Sequence, residues 1–376
     1  MSSVECLFKP FSSPKLQLPN RIVMAPMTRS ASPGNIPNER VVEYYRRRAA
    51  GGVGLIITEG TCVEHIAAHG FEHVPNFYGD EALAGWKRVV DAVHAEGGKI
   101  APQLWHVGAV REAGINPGGD TPGYGPSGMS VPGEVSGHTM TQQDIDDVVA
   151  AFARAAVDAK AIGMDAVEIH GAHGYLIDQF FWDKTNLRDD QYGGDLRARS
   201  RFAIEVIRAV RAAVGEEFPI IFRFSQFKQQ EYDARLVETP EQLADFLQPL
   251  CDAGVDIFHC SVRRFWEPEF EDSSLNLAGW TQKLTGKPAI AVGSVGLDAD
   301  FLVEGEGFKA AQVDNSLDKL TDRMQRGEFD LVAVGRALIA NPDWANLVRD
   351  GKLDKLLPFD KGMLATLEGG IAYSPK

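Results

Sequence analysis

Nowhere in the 376 residues do eighteen apolar residues run together, so no segment has the length and apolarity of a membrane-spanning helix. The opening MSSVECLFKPFSSPKLQLPN has no basic stretch leading into an apolar one, so the expectation is a cytoplasmic protein without a secretion signal. Cysteine is scarce. Cys6, Cys62, Cys251 and Cys260 form no CxxC pair and no regular framework, which argues against a disulfide scaffold and for buried reduced thiols. Positive charge is also short, with 38 Lys and Arg against 52 Asp and Glu and a net charge of -14. A general nucleic-acid surface is thereby disfavoured, because phosphate binding draws on clustered basic side chains. A local basic pocket for one small phosphate is not excluded.

What is present is a repeated unit: a short apolar run rich in Val and Ile, a turn, then an amphipathic or Ala-rich stretch. Eight runs read as strands, at 21–27, 53–60, 99–106, 164–172, 219–225, 256–262, 288–295 and 330–338. Helices are expected at 38–50, 80–96, 142–162, 196–214, 239–253, 311–327 and 341–350, with a less clear one near 277–285. In 142–162, Thr141 and Asp144 form a capping box, and Ile145, Val148, Phe152, Ala156 and Ala159 make one apolar stripe. Near-continuous apolar strands alternating with helices indicate a parallel sheet covered by helices, and eight units in this length fit a single α/β domain, a (β/α)8 TIM barrel over 1–376. Residues 107–140, rich in Gly and Pro, read as a lid-like excursion after the third strand, and 351–376 as a C-terminal tail. The competing doubly wound sheet usually places GxGxxG after its first strand, and no such motif follows any of the eight runs. The looser GEGFKA at 305–310 follows no convincing buried strand and reads as a surface turn.

In a barrel, chemistry gathers where the strands end. Those ends carry Pro26, Met27 and Thr28; Glu59 and Gly60; Gln103, Trp105 and His106; His170 and His173; Arg223 and Ser225; His259 and Cys260; Gly293 and Ser294; Gly335 and Arg336. GS and GR on the last two strands fit a phosphate site built from backbone N–H groups and one arginine, although a strand-end glycine is often only a turn. His65, His69 and His73 are four apart, but Gly70 and Pro75 interrupt any helix there and a solvated loop is expected. The stretch EIHGAHGYLIDQFF at 168–181 places His170, His173 and Tyr175 together. The two imidazoles could ligate a metal with His106 or His259, or serve as neutral donors to an oxygen on which charge develops. Spacing alone leaves both open. The direction of Glu168, toward barrel or helix layer, is open as well.

Six stretches carry a resemblance: LPNRIVMAPMTRS at 18–30, APQLWHVGA at 101–109, VEIHGAHGYLIDQFF at 167–181, TNLRDDQYGGDLRARSRF at 185–202, AVGSV at 291–295 and LVAVGRALIANPDW at 331–344. In that order they resemble the Old Yellow Enzyme family of flavin-dependent reductases. The resemblance implies a non-covalent FMN over the barrel mouth. Pro26, Met27 and Thr28 would lie by the isoalloxazine, Gly60 would supply a backbone contact, Gln103 would meet the pyrimidine edge and Arg223 would sit beside N1 and O2. The same likeness gives the phosphate end to Gly293, Ser294, Gly335 and Arg336. His170 and His173 would hold the carbonyl or nitro oxygen of an electron-poor alkene, Tyr175 would protonate the α carbon, and Trp105 would wall the pocket. NADH or NADPH would dock on the same face, which removes the need for a separate dinucleotide domain.

Two departures matter. Many relatives read HxGR after the third strand, whereas this chain has Ala109 in the arginine's place. The segment 258–274 carries Arg263, Arg264, Phe265, Trp266 and Phe270, which are expected to overhang the flavin or to pack the loop, with Trp266 the substrate-facing candidate. The expected function is an FMN-containing, NAD(P)H-dependent ene-reductase, as monomer or homodimer, with no nucleic-acid or membrane partner. The alternatives are a metal-dependent barrel lyase or hydrolase using His170 and His173, and a flavin-binding protein without turnover.

Overall fold

Eight parallel strands close on themselves in chain order in a computed structural model that describes residues 4–298, 302–303, 307–308, 310–314 and 316–368. They are β1 (Ile22–Met24), β2 (Leu55–Cys62), β3 (Lys99–Trp105), β4 (Val167–His173), β5 (Ile220–Lys228), β6 (Ile257–Ser261), β7 (Ala289–Val292) and β8 (Leu331–Val334). β8 pairs with β1 through Val334 and Met24, completing the ring. The outer layer holds α1 (Glu39–Ala50), α2 (Asp80–Ala95), α3 (Gln142–Ala161), α4 (Leu176–Phe181), α5 (Arg201–Val214), α6 (Pro240–Ala253), α7 (Leu277–Thr285), α8 (Ser316–Gln325), α9 (Arg336–Ala340) and α10 (Trp344–Arg349). The (β/α)8 barrel expected from the eight apolar runs is the fold. Among the described residues no helix is long and apolar enough to cross a membrane.

Strand parity sorts the side chains. Val23 and Ala25, Leu55 and Ile57, Ala166, Ile221, Ile257, Ile290, Leu331 and Ala333 form one cluster inside the barrel. Their neighbours Ile22, Met24, Ile56, Val167, Phe222 and Phe258 belong to the layer beneath the helices. An N-terminal hairpin pairing Phe11–Ser12 with Gln17–Leu18 contributes Phe11, Leu16 and Leu18 to the inner cluster and stops its lower end. Burial on both strand faces explains why these runs read as continuous rather than alternating.

The differences from the sequence reading have local causes. The apolar run 330–338 is strand only to Val334. Gly335 turns the chain and the remaining apolar residues become the buried helix α9, a distinction that a short apolar run does not encode. The helix expected over 196–214 is two, Leu196–Arg199 and α5, which meet at Ser200, the cap residue of both. The helix expected over 311–327 is shorter, since Ala311 pairs with Phe359 instead. β5 runs three residues beyond the expected end at 225, and this extension carries side chains to the mouth. The Thr141–Asp144 capping box at the start of α3 is present. In GEGFKA, Gly305, Glu306 and Lys309 lie outside the described residues, while Gly307–Phe308 pair antiparallel with Leu302–Val303. Residues 107–140 hold short two- and three-residue strands, and Arg111 ties them down by donating to the carbonyls of His69, Ile115, Gly119 and Thr121. That arginine lies two positions past Ala109.

Candidate active site

β4 supplies the centre of the site. Because Ala166 faces inward, Glu168 and His170 face inward too, and the direction left open by the sequence is settled. The strand ends in a left-handed residue, His173 with φ 67°, followed by Gly174 with φ 80°. This sharp turn aims His173 and Tyr175 across His170. Ring centroids lie 5.3 Å apart for His170 and His173, 5.2 Å for His170 and Tyr175, and 4.8 Å for Trp105 and Tyr175. The turn is fastened from behind. Gly174 N–H donates to Asp178 Oδ2 at 2.7 Å, Gln179 Nε2 donates to the Gly174 carbonyl at 2.8 Å, and Lys228 Nζ meets Asp178 Oδ1 at 2.6 Å, with neither member of that ion pair exposed.

Protonation states follow from burial. Burial, and then the Arg223 charge, hold both His170 and His173 well below the ordinary imidazole range, so both rings are neutral near pH 7. Ala172 N–H donates to His170 Nδ1 at 3.3 Å, which leaves the ring proton on Nε2 as a free donor. His173 Nε2 pairs with Ser261 Oγ at 2.8 Å, and the same hydroxyl accepts from Arg223 Nη2 at 3.3 Å. Burial pushes the Tyr175 phenol up to about 12, so it keeps its proton and donates to Gln229 Oε1 at 3.4 Å. The cluster is therefore three neutral donors beside one fixed cation.

Beneath it lies a polar layer made by the inward residues of four strands: Gln103 on β3, Glu168 on β4, Arg223 on β5 and His259 on β6. Register places Gln103 opposite Glu168 and Arg223 opposite His259. Gln103 Nε2 donates to Glu168 Oε1 at 2.8 Å, and His259 Nδ1 meets Glu168 Oε2 at 2.6 Å. The metal alternative loses its extra ligands to other partners, His259 to Glu168 and His106 to His65 Nδ1 at 2.9 Å. Among the described residues no group of three or more His, Cys, Asp or Glu could hold a metal ion. His69 departs from the solvated loop expected for 65–73: the segment is a loop, but this ring is fully buried and its pKa falls to about 4 through desolvation.

The remaining sequence candidates fall on two sides. Gly60 follows a bulge in β2 and sits against Trp105, whose indole would overlap any added Cβ. Gly60→Ala is expected to displace Trp105 and to cost about 1–3 kcal/mol in urea unfolding, as overpacking of a filled core does. On the other side, β7 and β8 are neighbours, so Gly293 and Ser294 end beside Gly335 and Arg336. Closure of the ring brings Met27 next to Gly335, with Pro26 half-buried and Thr28 exposed. Trp266 does not join the histidines: its ring stands against Phe265 and beneath Lys319 of α8, and among the described residues no ring contact links it to His170, His173 or Tyr175. Of the 258–274 set, Arg263 reaches the mouth, lying 4.8 Å over the Tyr232 ring.

Four mouth residues escaped the sequence reading. Phe71 stacks on Trp105 at 5.8 Å, Phe227 stacks on His173 at 5.3 Å and on Tyr232 at 5.7 Å, and Gln229 meets Tyr175. Their one signal was position, in the segments after β2 and at the end of β5.

The polar layer fits a flavin's pyrimidine end. Arg223 is a buried cation whose Nε has no hydrogen-bond partner among the described residues, and Gln103, with its NH2 group committed to Glu168, has an acceptor to offer. At the other end Ser294 adopts φ 49° and a Cβ on Gly293 would meet the Val262 carbonyl at 2.6 Å, a tight backbone turn of the kind that presents N–H groups to a phosphate.

The description "NADH:flavin oxidoreductase / NADH oxidase family" matches residues 6–355. The chain belongs to that family. Within this flavin oxidoreductase family it is similar to 12-oxophytodienoate reductase 7 of Oryza sativa subsp. japonica, 33% identical over 351 residues that make up 90% of this chain and 86% of that protein. It is also similar to an NADH oxidase of Thermoanaerobacter brockii, 34% identical over 350 residues, 91% of this chain but 50% of that protein. The chain thus spans half the length of that relative. Among solved structures, morphinone reductase in complex with tetrahydroNAD superposes with a TM-score of 0.79 at 32% identity, covering 95% of this chain and 93% of that one. The Old Yellow Enzyme homologue of Zymomonas mobilis gives 0.79 at 26% identity, covering 96% and 98%.

Proposed function

We propose that this protein is an FMN-dependent ene-reductase that takes electrons from NADH or NADPH and reduces the C=C bond of α,β-unsaturated carbonyl or nitro compounds. The observation that carries it is the convergence of three neutral donors, His170, His173 and Tyr175, beside buried Arg223 at the barrel mouth. The family, and the similarity to 12-oxophytodienoate reductase 7 and to morphinone reductase in complex with tetrahydroNAD, support the same reading.

FMN, when bound, supplies hydride from N5. The chain does the rest. His170 and His173 hold the substrate's carbonyl or nitro oxygen as hydrogen-bond donors, and beside the buried Trp105 and Tyr175 they stabilise the negative charge that develops there. Drawing electron density to that oxygen leaves the β carbon electron-poor. Tyr175 then gives its proton to the α carbon, with Gln229 holding the phenol in place. Trp105 and Phe71 wall one side of the substrate, and Phe227 the other. Arg223 and Gln103 would hold the pyrimidine edge, Pro26, Met27, Thr28 and Gly60 the ring, and Gly293, Ser294, Gly335 and Arg336 the phosphate. The excursion 107–140 would cover the mouth of this single-domain barrel.

Since both histidines act as neutral donors, the KM for a simple enone is expected to stay within about twofold between about pH 6 and 8, and a break near about 6.5 would count against them. The proposal itself is tested by colour. Purified protein should carry or take up FMN, bleach anaerobically with NADH or NADPH and recover its yellow with an activated alkene. Protein that incorporates no FMN, or that bleaches and never recovers with any enone, nitroalkene or maleimide, contradicts it.

A further inference from the structure

Glu168 is a fully buried carboxylate that no step above uses. It faces into the barrel at the level of Gln103, Arg223 and His259, and its two oxygens are divided between two donors. A carboxylate can only accept. The Gln103 amide must therefore turn its NH2 group down to Glu168, and its carbonyl oxygen is left as the acceptor of the pair. For the same reason His259 carries its proton on Nδ1. Burial lowers the pKa of that imidazole, while Glu168 pulls it up and Arg223 pushes it down. The His259 ring is thus neutral near pH 7 and cannot cancel the Glu168 charge. Arg223 is the cation that feels Glu168 most directly: the carboxylate heads the influences that counter the burial of the guanidinium.

Resting on the flavin assignment, we propose that Glu168 is a positioning and potential-setting residue. It locks Gln103 as an acceptor toward the N3–H of the flavin pyrimidine, and it offsets part of the Arg223 field so that the bound flavin is a stronger reductant than Arg223 alone would make it. The sign is set by electrostatics. Two-electron reduction places negative charge at the pyrimidine end, which Arg223 favours and a nearby fixed carboxylate opposes. Removing the carboxylate charge makes reduction easier and leaves a weaker hydride donor toward the alkene.

The experiment is the midpoint potential of FMN-loaded Glu168→Gln, measured by anaerobic dye equilibration at pH 7 beside wild type. The expected result is a positive shift of at least a tenfold change in the two-electron reduction equilibrium, about 30 mV. Bleaching by nicotinamide should not slow, whereas reoxidation by a weak alkene acceptor should. His259→Asn, which keeps a neutral donor beside Glu168 and keeps the carboxylate charge, is expected at the wild-type potential or below it. An unchanged or more negative potential in Glu168→Gln overturns the proposal, and so does a positive shift in His259→Asn, which would trace the effect to disturbed packing. If Glu168→Gln gives no folded protein, Glu168→Asp, which draws the charge back from Gln103 and Arg223, is expected to show a smaller positive shift, and an unchanged or more negative potential there overturns the proposal. Failure of the flavin assignment is seen separately, as wild-type protein that takes up no FMN.

Discussion

Tyr175→Phe is expected to slow alkene reduction by about 10²–10⁴-fold, the range that a positioned general acid contributes, and to leave bleaching by NAD(P)H within about twofold of wild type. The split follows from where the phenol stands. Burial holds the Tyr175 pKa up to about 12, so the proton is present at any working pH, and the Gln229 carbonyl fixes its direction. The ring also packs edge-on against Trp105 and His170, and phenylalanine keeps those contacts. Only the proton is removed. Anaerobic stopped flow checks this by following loss and return of flavin absorbance separately. Loss of the reductive phase would mean that Tyr175 serves nicotinamide binding rather than protonation.

The second large effect concerns stability. Lys228 and Asp178 form an ion pair with no exposed surface, and Asp178 also receives the Gly174 N–H that shapes the turn between His173 and Tyr175. Lys228→Met leaves a buried carboxylate without its cation, and the expected cost in urea unfolding near pH 7 is about 3–5 kcal/mol. Asp178→Asn/Lys228→Met together should recover part of that loss, because an amide can accept from Gly174 without carrying charge. Burial already raises the Asp178 pKa even with Lys228 present, and without it the rise is larger. A carboxyl raised in the folded state binds its proton before the unfolded chain does, so the stability it contributes is present at low pH and lost as pH rises through the folded value. The Lys228→Met deficit should therefore shrink as pH falls toward about 4, the unfolded aspartate value. A deficit independent of pH would assign the loss to packing.

Local patterns in the sequence carried the architecture and the centre of the site. Apolar runs and turn residues locate every barrel strand, and the rule that chemistry sits at strand ends picks His170, His173, Gln103 and Arg223 out of the pattern as candidates. What stayed hidden depends on partners distant in sequence. Glu168 alternates with Ile169, and only closure of the barrel decides which of them faces inward. Lys228 and Asp178 are fifty residues apart, and each looks like a surface charge until β5 proves to run to Lys228. Phe227 and Gln229 lie just past the expected end of that strand, so their approach to His173 and Tyr175 could not be seen in the pattern. Trp266, whose setting suits a flavin cover or loop packing, stands against Phe265 and beneath Lys319, partners that its place in the sequence does not reveal. The helix α9 was concealed because Ala337 and Leu338 extend an apolar run whose strand ends at Val334.

The central claim is a division of labour: hydride from the flavin face to the β carbon, and a proton from Tyr175 to the α carbon of an alkene whose oxygen rests on His170 and His173. Tracing deuterium through one turnover of a cyclic enone tests it most directly. With nicotinamide deuterated at the transferable position in ordinary water, the label should appear at the β carbon. With ordinary nicotinamide in heavy water, it should appear at the α carbon. Label at the carbonyl carbon of an allylic alcohol, or solvent deuterium at the β carbon, would contradict the assignment of these three residues.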